Sequence, residues 1–111
     1  MSDTLADSCL HLNAIAQNVN QNAWNKGFHK AGQSIEEKFP RWCMLIVSEI
    51  SEAMEAHRCQ EGQERIAEEL ADAVIRILDT AYAMGLSIGG AVHTKIMTNQ
   101  NRPKLHGNKL Y

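Results

Sequence analysis

Three cysteines in 111 residues, Cys9, Cys43 and Cys59, are odd in number and widely spaced, which excludes a disulfide or zinc framework. They read as reduced thiols of a cytoplasmic protein. No apolar run approaches the roughly 20 residues that span a bilayer, which excludes a membrane helix. The N-terminus lacks the basic-then-apolar pattern of a secretory signal. Neither sign of charge is in excess: 11 Lys and Arg stand against 13 Asp and Glu, for a net charge of −2. That balance gives no electrostatic footprint for a nucleic-acid polymer. Glu-x-x-His pairs are missing, and with them the signature of ferritin-like di-iron helices. His or Cys at helical spacing for zinc is missing too. There are no internal repeats and no low-complexity tracts. What remains is a chain with 44% hydrophobic residues, enough for one folded domain over residues 1–111 with a single core.

Helical periodicity dominates that chain. Over residues 3–23, Leu5, Leu12, Ile15, Ala16, Val19 and Ala23 fall on one stripe, with Asp3 as a cap. The rest of this segment is rich in Asn and Gln and is assigned to solvent. Residues 24–39 break the pattern with Gly27, Gly32 and Ser34, and carry Trp24, Phe28, His29 and Phe39. A connection of this length that bears aromatics is either functional or a plug for the end of the bundle. Ser34–Glu37 has the form of a short capped turn. The second helix is read from Pro40, a favoured first-turn residue, to about His57. Its apolar arc is Trp42, Leu45, Ile46, Ile50, Ala53 and Ala56. The third helix is read from about Glu64 to Met84, closed by Gly85. Ile66, Leu70, Val74, Ile77 and Ala81 centre an arc that Ala67, Ala71, Ile75 and Leu78 widen past half the circumference. One neighbour cannot cover so much surface, so this helix is expected to be central or packed on a second subunit. The fourth helix begins after Ser87 and reaches about Asn101, with Ile88, Val92 and Ile96 on its stripe. The whole reads as an all-α, four-helix bundle-like unit with short turns.

The chemistry lies in residues 45–72. Glu49 and Glu52 stand three apart on the second helix, Glu69 and Asp72 three apart on the third, and residues i and i+3 share a helix face. Glu49 projects inside the apolar arc and Glu52 at its edge; Glu69 borders the arc of the third helix, with Asp72 one step beyond. Ordinary solvated charge would produce such pairs one at a time. Two pairs on consecutive apolar-arc edges point instead to four carboxylates converging, and such a cluster repels itself unless cations sit in it. All-oxygen ligands suit Mg²⁺ or Mn²⁺. Arg76, four after Asp72, is expected to pair with it. Lys95 and Asn99 project on the apolar stripe of the fourth helix, flanked by Arg102. They suggest an anionic ligand held between them and the metal.

These residues resemble a family. The segments Lys26-Gly27-Phe28-His29, Leu45 to Ala56, Ile66 to Leu78, and Lys95, Asn99 and Arg102 to Gly107 are similar in order and spacing to the MazG-like nucleoside triphosphate pyrophosphohydrolases. The likeness covers about residues 24–110. The family's pattern is Glu-Glu-x-x-Glu followed by Glu-x-x-Asp; here Ser48 takes the place of the first Glu, and it projects away from the acid face. The resemblance implies a MazG-type all-α fold, Mg²⁺ dependence, and a homodimer or dimer of dimers. It implies cleavage of a nucleoside triphosphate, NTP or dNTP, between the α- and β-phosphates, to monophosphate and pyrophosphate, in cleansing of the nucleotide pool. Glu49, Glu52, Glu69 and Asp72 match the metal ligands and catalytic carboxylates. Lys95 and Asn99 match positions near the phosphates, with Arg102 beside them, and His29 and Trp42 are candidates for base or phosphate contacts. A related all-α dUTPase or phosphoribosyl-ATP pyrophosphohydrolase shares the same metal logic. A non-enzymatic helical interaction module is the alternative from another class.

Overall fold

A computed structural model of the chain describes residues 4–102. It is all-helical: α1 (Thr4–Asn25), α2 (Ile35–Arg58), α3 (Gln63–Ala83) and α4 (Ile88–Gln100), with no strand among the described residues. The expected cap Asp3 and the basic tail from Pro103 onward lie outside the described residues. No described helix is long and apolar enough to cross a membrane.

Three of the four helices fall within two residues of their expected bounds. Gly85 ends α3 with φ of 71°, a conformation glycine adopts without strain. Leu86 N–H reaches back to the Ala81 carbonyl and Gly85 N–H to that of Tyr82, each at 2.9 Å, which satisfies two orphan carbonyls. Ser87 caps α4, its hydroxyl accepting from Gly90 N–H at 3.3 Å.

The start of α2 is a correction. The helix begins at Ile35, not at Pro40. Ser34 is the cap, accepting from Glu37 N–H at 3.3 Å, and Glu36 and Glu37 place negative charge in the first turn. Together these signals outweigh the proline. Pro40 then sits in the second turn, where its missing N–H would have met the carbonyl of Glu36, an exposed residue.

The third helix is central, although the middle of its wide apolar arc is left uncovered. Both α1 and α2 pack on α3, and they do not pack on one another; α4 lies mainly on α1 and touches α3 only slightly. The α2–α3 hairpin, turned over residues 59–62, is antiparallel. Its contact surface is small-residued: Ala53, Ala56, Ala73 and Ala81 are buried, as are Ala16 and Ala23 of α1. At the α1–α4 crossing a Cβ on Gly89 would overlap the carbonyl of Cys9. There Asn13 accepts from Gly89 N–H at 2.8 Å and donates to Ser87 Oγ at 3.0 Å.

The large side chains are differently placed. Leu70, Val74 and Ile77, expected at the middle of the buried arc of α3, are exposed by 46%, 51% and 40%. On α2, Met44, Val47, Ile50 and Met54 are exposed as well. The physical reason is that α3 turns a different edge, Glu69, Ala73, Leu78, Thr80 and Ala81, toward its neighbours in this chain, so that of the expected arc Leu78 and Ala81 are buried. The radius of gyration, 16.9 Å, exceeds the ~13 Å of a compact domain of this length. All three cysteines are free thiols.

Candidate metal centre

The α2–α3 hairpin brings the acids together. Glu49, Glu69 and Asp72 each offer a carboxylate oxygen, and these oxygens lie within 4.8 Å of one another. Antiparallel pairing explains why: Glu49 on α2 stands level with Asp72 on α3, and Glu69 sits one turn before Asp72. Glu49 is 8% exposed and Glu69 only 2%, whereas Asp72 is open to solvent. Glu52 is exposed and lies outside this trio, yet its carboxyl reaches hydrogen-bonding range of Glu69. The four residues singled out in the sequence therefore share one place, three as a tight group and the fourth at its border.

Charge in that place is partly offset. Arg65 Nη2 lies 2.6 Å from Glu69 Oε1. Arg76 Nε donates to Glu49 Oε1 at 2.9 Å, across the hairpin, where an intrahelical pair with Asp72 was expected. The aliphatic length of the arginine lets it reach the buried acid in preference to the solvated one. Glu69 Oε2 is buried and accepts no hydrogen bond. Glu52 and Glu49 are both neighbours of this carboxyl, but ionised carboxylates have no proton to share. A buried carboxylate oxygen without a donor costs free energy, and a hard cation bound by oxygen satisfies it directly. The donor set thus fits Mg²⁺ or Mn²⁺.

The Glu52 contact, and then burial, push the Glu69 carboxyl up to about 6, against the opposing pull of Arg65. The folded chain therefore holds this proton more tightly than the unfolded chain does. In chelator, the contribution of Glu69 to stability improves as pH falls from 7 through 6 toward 4.5, and is lost again as pH rises through 6. A Mg²⁺ ion held by the trio would compete with the same proton. The expected result is a clear Mg²⁺-induced rise in thermal midpoint at pH 7.5 that shrinks toward zero at pH 5, measured by thermal unfolding at both values.

A groove of about 920 Å³ opens beside the trio, between α1 and α2 with α3 as its floor. It exists because α1 and α2 do not pack on each other. Glu49 and Asp72 line one part of it; His29, Trp42 and Phe28 line another. His29 is buried, wedged between Trp24, with ring centroids 5.6 Å apart, and Trp42, edge-on at 5.5 Å. Its Nε2 lies 2.8 Å and 2.9 Å from the two Asp79 oxygens, so Nε2 carries a proton. Asn20 donates to the same carboxylate at 2.8 Å. This network pins the connection between α1 and α2 to α3. Of the aromatics in this connection, Phe28 and His29 line the groove, while Trp24 packs on His29 and Phe39 stands exposed.

Lys95, Asn99 and Arg102 are elsewhere. All three are exposed, and α4 makes no contact with α2. They do not line the groove. The helical wheel placed Lys95 and Asn99 on an inward stripe; α4, however, rests on α1, and its far half is largely solvated. The basic groups that do line the groove are Lys38, Arg41 and Arg76. Asn18, Asn22 and Asn25 add a wall of amides from α1, the stretch earlier assigned to solvent. Their i, i+4, i+7 spacing was the available signal, since a polar stripe at helical period marks one face just as an apolar stripe does. Glu55, on the same helix as Glu49 and Glu52, is forked to Arg58 at 2.7 Å and 3.1 Å, which holds its carboxyl below the usual range.

A scan of protein-family models and searches of curated proteins and of solved structures find no match to this chain.

Proposed function

We propose that the chain is a divalent-metal-dependent pyrophosphohydrolase of nucleoside triphosphates, of the MazG-like kind its motifs resemble. The observation that carries this reading is Glu69 Oε2, buried without a donor inside a trio of carboxylates at the edge of a groove. Glu49, Glu69 and Asp72 would hold the ion, with Glu52 beside them. A bound Mg²⁺ supplies counter-charge and Lewis acidity to the triphosphate. Water attacks, the α–β phosphoanhydride bond breaks, and the products are a nucleoside monophosphate and pyrophosphate. Lys38 and Arg41, on the groove wall, neutralise the phosphate chain. Glu52, free of an arginine partner among the described residues, orients the attacking water and accepts its proton. Trp42 and Phe28 offer ring faces to the base, and Asn18, Asn22 and Asn25 offer paired donors and acceptors to its edge.

Oligomerisation belongs to the same reading. The exposed stripes of α2 and α3 are supplied with a partner by a second copy of the chain, as a homodimer or a dimer of dimers.

The test is a panel of ribo- and deoxyribonucleoside triphosphates assayed for pyrophosphate with Mg²⁺. At least one is expected to yield monophosphate and pyrophosphate in equal amounts, and chelation is expected to stop the release. No turnover across the panel, together with no heat on titrating Mg²⁺ alone, would leave only the interaction module.

A further inference from the structure

Arg76 faces two ways. Its Nε is committed to Glu49 Oε1 at 2.9 Å. A guanidinium has five N–H donors in a rigid planar fork, so four hydrogens remain on the two Nη atoms. Among the described residues neither Nη atom has a hydrogen-bond partner, while the side chain is 41% exposed and lines the groove. Arg65 offers a contrast: it too meets an acid of the trio, but it is also tied to Glu68 at 3.1 Å and does not line the groove. One arginine is thus a counter-ion alone, and the other is a counter-ion with a second edge directed at ligand space.

We propose that Arg76 is a substrate-binding residue that couples the metal centre to the phosphate chain, its Nε holding Glu49 and its Nη edge taking a phosphoryl group in bidentate fashion. This rests on the metal reading given above. The planarity of the fork supplies the coupling. With Nε fixed on Glu49, the Nη edge has a set direction, so an anion bound there stands at a set position from the ion-holding carboxylate. Lys38 and Arg41 carry charge into the groove without a bond to the trio, so they attract the phosphates without registering them against the ion. Lysine at position 76 would keep the charge but present a point cation that serves one partner at a time.

The experiment uses the full chain and two calorimetric titrations: Mg²⁺ alone, then inorganic tripolyphosphate with Mg²⁺ held in excess. Tripolyphosphate carries no base, so the result does not depend on which nucleoside is preferred. Arg76→Lys is expected to bind Mg²⁺ within about threefold of wild type and tripolyphosphate at least about tenfold more weakly. Arg76→Gln, neutral and able to place an N–H near the Nε position but with no Nη edge, is expected to follow the same split, and thermal unfolding reports that both variants are folded. Arg58→Lys, whose native pair with Glu55 is exposed and lies outside the trio, is expected to match wild type in both titrations. If wild type takes up Mg²⁺ and both Arg76 variants bind tripolyphosphate as it does, this proposal alone is overturned. If the Arg76 variants lose Mg²⁺ and tripolyphosphate binding in equal measure, Arg76 is only the counter-ion of Glu49, and the proposal is again overturned. If wild type takes up no Mg²⁺, the metal reading falls and this inference with it.

Discussion

Glu69→Gln is expected to abolish Mg²⁺-dependent pyrophosphate release while raising the thermal midpoint of the protein in chelator. The two halves of that outcome have one cause. Glu69 is the most buried of the acids, with one oxygen on Arg65 and the other without a donor. Glutamine keeps the shape, removes the charge, and brings two N–H hydrogens to a spot where Glu49 and Glu52 can accept them. Repulsion within the cluster becomes hydrogen bonding, so the fold gains. The cation loses its central ligand. Groups that merely support a metal ligand cost 10–100-fold in affinity when removed, so loss of a direct ligand is expected to cost at least ~100-fold. The same trade between stability and activity is common where a site is built from mutually repelling groups. Glu55→Gln is the control, because Glu55 is forked to Arg58 outside the trio, and its activity is expected to match wild type. Full activity in Glu69→Gln would remove the carboxylate trio as the seat of the chemistry.

The second large effect concerns assembly. The chain is expected to sediment as a dimer or larger at micromolar concentration, and Val47→Glu with Val74→Glu is expected to give a monomer with a markedly lower thermal midpoint. The motive is surface. The chain exposes 8670 Å², against about 6100 Å² for a compact monomer of its mass. The difference is on the scale that one partner contributes to a permanent interface. Its apolar part is ordered: Met44, Val47, Ile50 and Met54 recur at helical spacing on α2, and Leu70, Val74 and Ile77 do so on α3. In the antiparallel hairpin Val47 stands level with Val74, and Met44 with Ile77, so both stripes run at the same heights. Two such hairpins face to face make four helices around one apolar seam. The core within one chain is mostly alanine, which buries little area per residue, so such a seam would carry a large share of the stability. A wild-type protein that stays monomeric at micromolar concentration would refute this.

Much of this was legible in the sequence, and the failures have identifiable reasons. Helix ends were readable where a chemical cap stands alone: Ser87 before α4, Gly85 after α3. At α2 two signals competed. Pro40 was weighed as the start, although Ser34 followed by Glu37 is the stronger device because it satisfies backbone donors with side-chain atoms. The acid group was legible because its spacing repeats on two consecutive helices joined by a four-residue turn, and a short turn leaves antiparallel pairing as the only packing. Lys95 and Asn99 were misplaced for the converse reason. A wheel shows which residues share a face, but not which neighbour that face meets. Only the packing of α4 onto α1 decides that. Leu70, Val74 and Ile77 were rightly grouped as one face of α3, and the same gap in information left open that the face points away from the rest of the chain. Arg76 pairs across the hairpin, a choice fixed by the burial of Glu49, which spacing along α3 cannot express.

The groove has a wall on each side that belongs to a different helix, and those helices do not pack on one another but are bridged by α3 and by His29 between Trp24 and Trp42. Carboxylates and cations stand on α2 and α3, while the amides stand on α1. Under the proposed reading, the groups that would meet a base and those that would hold an ion thus stand on different helices. Substitutions among Asn18, Asn22 and Asn25 would then reshape one wall of the groove while leaving the carboxylate trio of the α2–α3 hairpin in place.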